Sequence, residues 1–147
     1  MEPDENRASY ASNHFKCAKY TSVEQFCKTE RADLAIILTP SGLHAEHIKV
    51  ICKSVNTILV EKPACLSLAD LDDLSSLNFQ GKKIFVVKQN RYNRPIVELK
   101  HWCDLENLKS FIYGTIRLRW CRDENYYNQD TWRGTWAYDG GVLTNQA

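Results

Sequence analysis

An unbroken apolar run is the feature that most restricts how this chain can fold. Residues 33–39 read DLAIILT, and the turn-forming sequence PSG follows at once. A strand with one face in water alternates apolar and polar residues, whereas a continuous run is typical of a strand buried on both faces of a parallel sheet. Two shorter runs of the same kind, 57–60 and 84–87, predict two more buried strands.

Helical patterns separate these strands. Residues 43–54 place their apolar side chains on one side, and a further helix is predicted to begin near Ser67 and to reach Leu77. Strand, helix and strand at this spacing is the order of an α/β fold with a parallel sheet. Ahead of the first strand we predict two more helices, 3–15 and 21–27, the second opened by a capping-box pattern.

The pattern changes after Arg91. Residues 95–102 predict a helix, and residues 111–121 alternate apolar and polar side chains, as a strand with one buried face does in an antiparallel sheet. From residue 125 onward the chain is aromatic, polar and rich in turn formers. We therefore predict two units, residues 1–91 and residues 92–147.

Composition excludes several classes of protein. Nineteen Lys and Arg against eighteen Asp and Glu leave a net charge of +1, too little for the basic field that binds nucleic acid without specificity. No apolar run approaches the roughly 20 residues of a membrane helix, and the first residues, MEPDE, are not those of a secretory signal. The six cysteines form no CxxC pair, which favours reduced thiols over a zinc site or a disulfide framework. We expect a cytoplasmic protein with neither nucleic acid nor membrane as partner.

Polar residues crowd the loops that leave the three predicted strands. These loops read TPSG at 39–42, EKP at 61–63 and KQNRY at 88–92. In an open parallel sheet, ligands bind outside the carboxyl ends of the strands, where such loops meet. Lys62 is the strongest single signal, because a lysine there can polarise an oxygen or take part in proton transfer. A Lys62 that only pairs with Glu61 at the surface explains the same residues equally well.

Two histidines stand three positions apart at the start of a predicted helix. His44 and His47 are there without a third ligand at suitable spacing, so we expect no metal site. We predict instead that His44 lies near the crevice at the strand ends and that His47 faces solvent.

The stretch 120–136 combines aromatic and basic residues. It holds three tryptophans, two tyrosines, Arg122 and Arg133. Such a set suits the binding of a sugar ring with a phosphate or of single-stranded nucleic acid. The alternative is an apolar cluster that covers the sheet. Acidic residues within the stretch favour a small ligand over a polynucleotide.

Taken together, five motifs resemble the Gfo/Idh/MocA family of NAD(P)-dependent oxidoreductases. They are TPSGLHAEH, ILVEKP, QNRYN, YYNQDTWRGTW and DGGVLTNQA, in the family's order and over nearly the whole chain. QNRYN, WRGTW and DGGVLTNQA are similar to dehydrogenases of UDP-N-acetylglucosaminuronic acid, which oxidise the C3 hydroxyl of the sugar on the way to surface polysaccharides.

The resemblance implies a fold and a domain division. Residues 1–91 would be the C-terminal portion of a Rossmann dinucleotide-binding domain, a partial parallel sheet. Residues 92–147 would begin an α+β domain with a mostly antiparallel sheet that binds substrate and forms oligomers. Full-length relatives are homo-oligomeric, and their partner is a small sugar-nucleotide substrate.

The resemblance also implies roles for individual residues. Lys62 would be the catalytic lysine beside the sugar hydroxyl, whereas Cys65 receives no catalytic role although it follows EKP closely. The residues implied to border NAD are Thr39, Pro40, Leu43, His44, Glu61, Lys62, Gln89 and Asn90. Those implied to contact the sugar nucleotide are Arg91, Tyr92, Trp132, Arg133, Asn145 and Gln146. Asn145 stands where many relatives have Asp, and NADP stays open as the alternative to NAD.

Two parts of the family's pattern have no counterpart in this sequence. None of the six glycines forms a GxG, and the family's catalytic histidine would follow just after Ala147. We therefore expect an internal portion of a sugar-nucleotide dehydrogenase, with no turnover and weak or no NAD affinity by itself. The alternative hypothesis is a non-catalytic remnant or interaction module derived from such an enzyme.

Overall fold

The computed structural model describes residues 1–77, 79–105, 113–117 and 119–145. Two capped helices precede the sheet. Helix α1 spans Glu5–Phe15 and begins after Asp4, whose carboxylate accepts two backbone N–H groups at 2.9 Å. Helix α2 spans Val23–Thr29 and begins after Ser22, whose hydroxyl caps it in the same way. Both predicted helices are confirmed.

Three strands form one parallel sheet. Strand β1 spans Ala32–Ile37, β2 spans Val55–Val60 and β3 spans Lys83–Val86. They lie side by side in that order, and both pairings are parallel. The α/β fold with a parallel sheet is therefore confirmed.

Two helices cover one face of this sheet. Helix α3 spans His44–Ile51 and α4 spans Leu68–Ser76, both within the predicted helical segments. The core between helices and strands consists of Ile37, Ala45, Ile48, Ile51, Cys52, Val55, Ile58, Val60 and Leu74. Its burial is the main source of stability for this part of the chain.

The opposite face of the sheet is open. The strand register places Ile36, Leu59 and Phe85 in one row across it, and Ile36 and Phe85 are 55% and 53% exposed. Burial of the strands on both faces, predicted from the apolar runs, is therefore wrong for the described part of the chain. The runs make both faces apolar, but no described helix covers the second one.

After β3 the chain makes a 3-10 turn at Gln89–Tyr92 and enters helix α5, Arg94–Leu105. Two short helices follow, α6 at Glu124–Tyr127 and α7 at Val142–Asn145. Helix α5 confirms the helix predicted at 95–102. None of the helices among the described residues has the length and apolar character needed to cross a bilayer.

The antiparallel strand predicted at 111–121 is not found in the described residues of that segment. Residues 113–117 and 119–121 form no strand, and Ile116, expected on the buried face, is 97% exposed. An isolated strand is not stable, because its backbone groups need a neighbouring strand to pair with. No described segment pairs with this one.

The segment after α6 returns to the sheet and docks against the loop that follows β1. Gly42 N donates to Tyr138 O at 3.0 Å. A Cβ atom on Gly42 would collide with Ala137 O and lie 2.9 Å from Tyr138 Cα, so only glycine permits this approach. The contact brings residues 135–145 to the carboxyl ends of the strands.

Candidate functional site

A cleft of about 450 Å³ opens at the carboxyl ends of the three strands. Residues from all three strand-end loops line it together with residues from 120–145. The residues that line it are Leu38, Thr39, Ser41, His44, Glu61, Lys62, Lys88, Gln89, Asn90, Arg91, Trp120, Arg122, Tyr126, Trp132, Arg133 and Asn145. This is the edge where parallel sheets of this type bind ligands.

Lys62 lies at the end of the central strand and reaches across the cleft. Its Nζ donates to the side-chain Oδ1 of Asn145 at 2.8 Å and to the backbone oxygen of the same residue. Glu61 Oε2 accepts the backbone N–H of Lys62 at 2.9 Å. Within the described part of the chain, the Lys62 ammonium forms no ion pair, so a simple Lys62–Glu61 surface pair is wrong.

Asp139 fixes the orientation of Asn145. The carboxylate of Asp139 is 6% exposed; its Oδ1 accepts from Asn145 Nδ2, and its Oδ2 accepts from Gly134 N at 2.8 Å. Because the amide nitrogen faces Asp139, the amide oxygen faces Lys62. Sequence reasoning missed Asp139, although an acidic residue before two glycines in a turn was a usable signal.

His44 ties two of the strand-end loops together. Its Nδ1 lies 2.6 Å from Pro63 O and its Nε2 lies 2.7 Å from Thr39 O. The ring is 1% exposed, and both nitrogens face carbonyl oxygens, so neither is directed at a metal. Among the described residues, no group of three or more His, Cys, Asp or Glu side chains is placed to hold a metal ion.

His47 is half-buried rather than solvent-facing. Its Nδ1 lies 3.0 Å from Thr39 Oγ1, which explains why the side chain turns inward. Burial lowers the pKa of His47, and the nearby His44 lowers it further, while Glu46 and Glu24 act in the opposite direction.

Arginine and aromatic side chains alternate along one wall of the cleft. The guanidinium carbon of Arg122 lies 4.2 Å from the ring centre of Trp120 and 4.3 Å from that of Tyr126. The guanidinium carbon of Arg133 lies 4.7 Å from Tyr126 and 4.8 Å from Trp132. This set, which we call the cation–aromatic wall, is held by cation–π attraction.

Arg133 is also paired within the wall. Its Nε donates to Asp130 Oδ2 at 3.2 Å and its Nη1 donates to Tyr126 Oη at 2.9 Å. Its charge is therefore largely compensated by the chain itself.

Ten of the residues that the resemblance assigned to ligands line the cleft. They are Thr39, His44, Glu61, Lys62, Gln89, Asn90, Arg91, Trp132, Arg133 and Asn145.

Three of the assigned residues do not line the cleft. Pro40 and Leu43 belong to the turn after β1, where Leu43 N donates to Pro40 O, and Tyr92 is 85% exposed at the end of its turn. Gln146, also assigned to substrate, lies outside the described residues.

Cys65 packs beside the core and does not line the cleft. Burial raises the pKa of its thiol, and the charge of Asp70 raises it further.

Six lining residues were not assigned from the sequence. They are Leu38, Ser41, Lys88, Trp120, Arg122 and Tyr126. Lys88 and Ser41 adjoin assigned residues, and the other polar ones belong to the aromatic and basic stretch already noted. Five cationic side chains and one carboxylate, Glu61, therefore line the described cleft, which favours an anionic ligand.

Residues 1–89 match the model of an oxidoreductase family with an NAD-binding Rossmann fold, GFO_IDH_MocA. The match covers more than half of the chain, so the chain belongs to this family, as the motifs indicated.

Two solved dehydrogenase structures are similar to this chain over 99% of its length. The chain is similar to the WlbA dehydrogenase of Chromobacterium violaceum, solved with NADH and UDP-GlcNAcA: identity is 28% and the TM-score 0.83, over 99% of this chain and 43% of that one. The WlbA dehydrogenase of Bordetella pertussis, solved with the same two ligands, gives 26% identity and a TM-score of 0.88, over 99% and 46%.

A third similar protein is a dehydrogenase whose named substrate is not a sugar nucleotide. It is a 1-carboxy-3-chloro-3,4-dihydroxycyclohexa-1,5-diene dehydrogenase of Comamonas testosteroni, 28% identical over 137 residues, 88% of this chain and 32% of the relative. The chain thus spans about a third of this protein and less than half of the two WlbA chains.

Proposed function

We propose that this chain forms the nicotinamide side of the cofactor site, and part of the substrate site, of an NAD-dependent dehydrogenase that acts on sugar nucleotides. The observation that carries the proposal is the position of Lys62. This half-buried ammonium lies at the end of the central strand, is held by an amide oxygen, and lines a cleft that favours anions. The two WlbA structures, solved with NADH and UDP-GlcNAcA, support the choice of cofactor and substrate class.

The residues of the cleft fit one end of NAD. One oxygen of Glu61 accepts the Lys62 N–H, which leaves the other to accept from a ribose hydroxyl, and the amides of Gln89 and Asn90 line the same side. No GxG turn for the pyrophosphate occurs among the 147 residues. The fit is therefore to the nicotinamide and its ribose, and bound NAD would supply the hydride acceptor for oxidation of an alcohol.

Lys62 would hold the reacting oxygen of the sugar. Its ammonium donates to oxygen acceptors in the cleft, and the hydroxyl oxygen of a bound sugar would take the place of one of them. Oxidation would pass the proton of the hydroxyl oxygen to a base and the hydride of the carbon that bears this oxygen to bound NAD, which leaves a carbonyl. A fixed cation beside the oxygen stabilises the negative charge that develops as the proton departs. We place this oxidation at C3 of a UDP-N-acetyl-aminouronate.

We also propose a domain division, a location and an oligomeric state for the protein. Residues 1–91 would belong to the Rossmann domain and residues 92–147 to the substrate and oligomerisation domain. The protein would act in the cytoplasm, as a homo-oligomer, in the synthesis of surface polysaccharides. Light scattering on the polypeptide purified from its native host measures the molar mass and thereby tests whether it is a homo-oligomer.

The activity test uses the same native polypeptide. With NAD and UDP-N-acetylglucosaminuronic acid, NADH formation is followed by absorbance for the wild type, Lys62→Ala and the exposed control Lys53→Ala. We expect Lys62→Ala to lower kcat by about 10²- to 10³-fold, the usual range for loss of one group that stabilises developing negative charge. Lys53→Ala should match the wild type. An unchanged kcat in Lys62→Ala contradicts the role of Lys62, and a wild type that neither binds nor oxidises the sugar supports the non-catalytic alternative.

A further inference from the structure

We propose that Arg122 is the anchor of an oxyanion subsite in the cleft, which takes a carboxylate or a phosphate of the substrate. The inference rests on the proposed function for the identity of that substrate, but not for the existence of the subsite. Arg122 was not among the residues assigned from the sequence motifs.

Arg122 carries a positive charge that no described side chain compensates. Arg122 is half-buried, and its Nε is buried without a hydrogen-bond partner. Among the described residues, the guanidinium of Arg122 forms no hydrogen bond and no ion pair, whereas Arg133 beside it has both. The adjacent carboxylate of Asp123 instead accepts the N–H of Tyr126 at 3.0 Å and caps α6.

A cation withdrawn from water without a counter-ion is unfavourable, because its lost hydration is not replaced. An anion bound from solution would relieve this cost. The local fold thus leaves a charge at Arg122 that the described part of the chain does not neutralise.

Two aromatic rings pack against the guanidinium group of Arg122. Its carbon lies 4.2 Å from the ring centre of Trp120 and 4.3 Å from that of Tyr126, and its N–H groups donate to no described residue, so the edge of the group is left for a ligand. An oxyanion with two oxygens in a plane binds such an edge through two parallel hydrogen bonds. Because the rings already hold the group, little side-chain freedom is lost when the anion binds.

The surroundings of Arg122 in the cleft are positively charged. Lys88 and Arg91 line the same cleft, are exposed, and make no ion pair with any described residue. Glu61 is the one carboxylate among the described lining residues. A sugar nucleotide with an acidic sugar offers two oxyanions, the sugar carboxylate and the diphosphate, and either chemistry fits Arg122.

The experiment is an NMR titration of the 147-residue chain. The Nε–Hε signal of Arg122 is assigned by its absence from the spectrum of Arg122→Lys. The probes are glucuronate, inorganic pyrophosphate, UDP-N-acetylglucosamine and UDP-N-acetylglucosaminuronic acid, with glucose as the neutral control. We expect saturable shifts of this signal with the oxyanions and none with glucose.

Affinities for the two UDP-sugars are then compared among variants by calorimetry. Arg122→Gln should lower affinity at least tenfold, and Arg122→Lys should recover only part of it because lysine lacks the planar edge. Arg119→Gln removes the same charge outside the cleft and should bind like the wild type. A loss confined to the acidic sugar identifies the carboxylate as the bound group, whereas an equal loss for both UDP-sugars identifies the diphosphate.

The outcomes separate this inference from the proposed function. Shifts of Arg122 with glucuronate or pyrophosphate, in a chain that does not bind UDP-sugars, support the subsite and count against the sugar-nucleotide substrate. No shift of the Arg122 signal with any oxyanion overturns the subsite, whatever the activity. Where the wild type binds a UDP-sugar, equal affinities of Arg122→Gln and Arg119→Gln for that UDP-sugar overturn the subsite as well.

Discussion

Lys62 and Asn145 are 83 positions apart in the chain, and Nζ of the one donates to Oδ1 of the other at 2.8 Å. The contact joins the central strand of the sheet to the last described helix. It depends on Asp139, which accepts from the Asn145 amide and thereby aims the amide oxygen at the lysine. The candidate catalytic lysine is thus held by a chain of hydrogen bonds through Asn145 to the buried Asp139 rather than by a surface ion pair.

Asn145→Asp should destabilise the protein at neutral pH, because an ionised carboxylate cannot donate to Asp139. Two buried carboxylates then face each other, and their repulsion raises the pKa of one of them, although Lys62 offsets part of the cost. We expect a loss of about 1–3 kcal/mol in the free energy of unfolding at pH 7, the range for an unmade buried hydrogen bond. Urea unfolding at several pH values measures it.

The pH dependence of this variant has a definite sign. A carboxyl whose pKa is raised in the folded state favours folding at low pH and loses that contribution as pH rises. The deficit relative to the wild type should therefore grow from about pH 4 to pH 7, starting near the unfolded carboxyl pKa. The exchanged pair Asp139→Asn with Asn145→Asp restores one donor and one acceptor and should recover most of the loss. A deficit independent of pH would contradict the pairing.

Gly42→Ala should detach the segment 135–140 from the loop after β1. The added Cβ would collide with Ala137 O and lie 2.9 Å from Tyr138 Cα, so the backbone must move and the 3.0 Å hydrogen bond from Gly42 N is weakened. Overpacking of this kind costs about 1–3 kcal/mol.

Limited proteolysis measures the detachment of this segment. We expect faster cleavage within 135–140 in Gly42→Ala than in the wild type. Gly114→Ala is the matched control, since a Cβ there meets no atom within 4 Å. Equal cleavage rates in Gly42→Ala and Gly114→Ala would show that the docking does not depend on Gly42.

Some of the fold and site was predictable from the sequence for a physical reason. Continuous apolar runs identify parallel strands, and parallel strands place their carboxyl ends at one edge, so Thr39, Glu61 and Gln89 could be assigned to one cleft. The open face of the sheet was not predictable, because apolar side chains on both faces do not say what covers them.

The features that could not be predicted from the sequence depend on contacts between distant parts of the chain. Asp139 precedes two glycines, which indicates a turn, but its contact with Asn145 forms only when residues 135–145 dock on Gly42, and no local pattern indicates that docking. Arg122 lay in a stretch noted for its aromatic and basic residues, but its lack of a partner is a property of the folded chain. The strand predicted at 111–121 failed in the described residues because alternation alone does not provide a neighbouring strand.

His44→Ala should be among the more destabilising single substitutions in this chain. It removes the ring that bridges Thr39 O and Pro63 O at 2.7 and 2.6 Å and leaves two half-buried carbonyl groups without that partner. Together with the cavity, this should lower the free energy of unfolding by about 2–4 kcal/mol. Urea unfolding provides the measurement, with the exposed His101→Ala as a control that should change it by less than about 0.5 kcal/mol. Similar values for the two variants would show that His44 does not hold the loops.

His47 should make the protein less stable in mild acid. Burial is the main cause of its lowered pKa, and the charges that face it are Glu46 and Glu24, which raise the pKa, and His44, which lowers it. In the unfolded chain a histidine binds its proton near pH 6.5, whereas the folded chain resists protonation until a lower pH. Protons therefore favour unfolding as pH falls below about 6.5, and the loss of stability ends once the folded histidine is protonated as well.

Urea unfolding at pH 7.5, 6.5 and 5.5 should show stability falling across this series in the wild type. His47→Gln keeps a polar group near Thr39 but does not titrate, so its stability should fall less over the same interval. Parallel pH profiles for the two proteins would assign the acid sensitivity to groups other than His47.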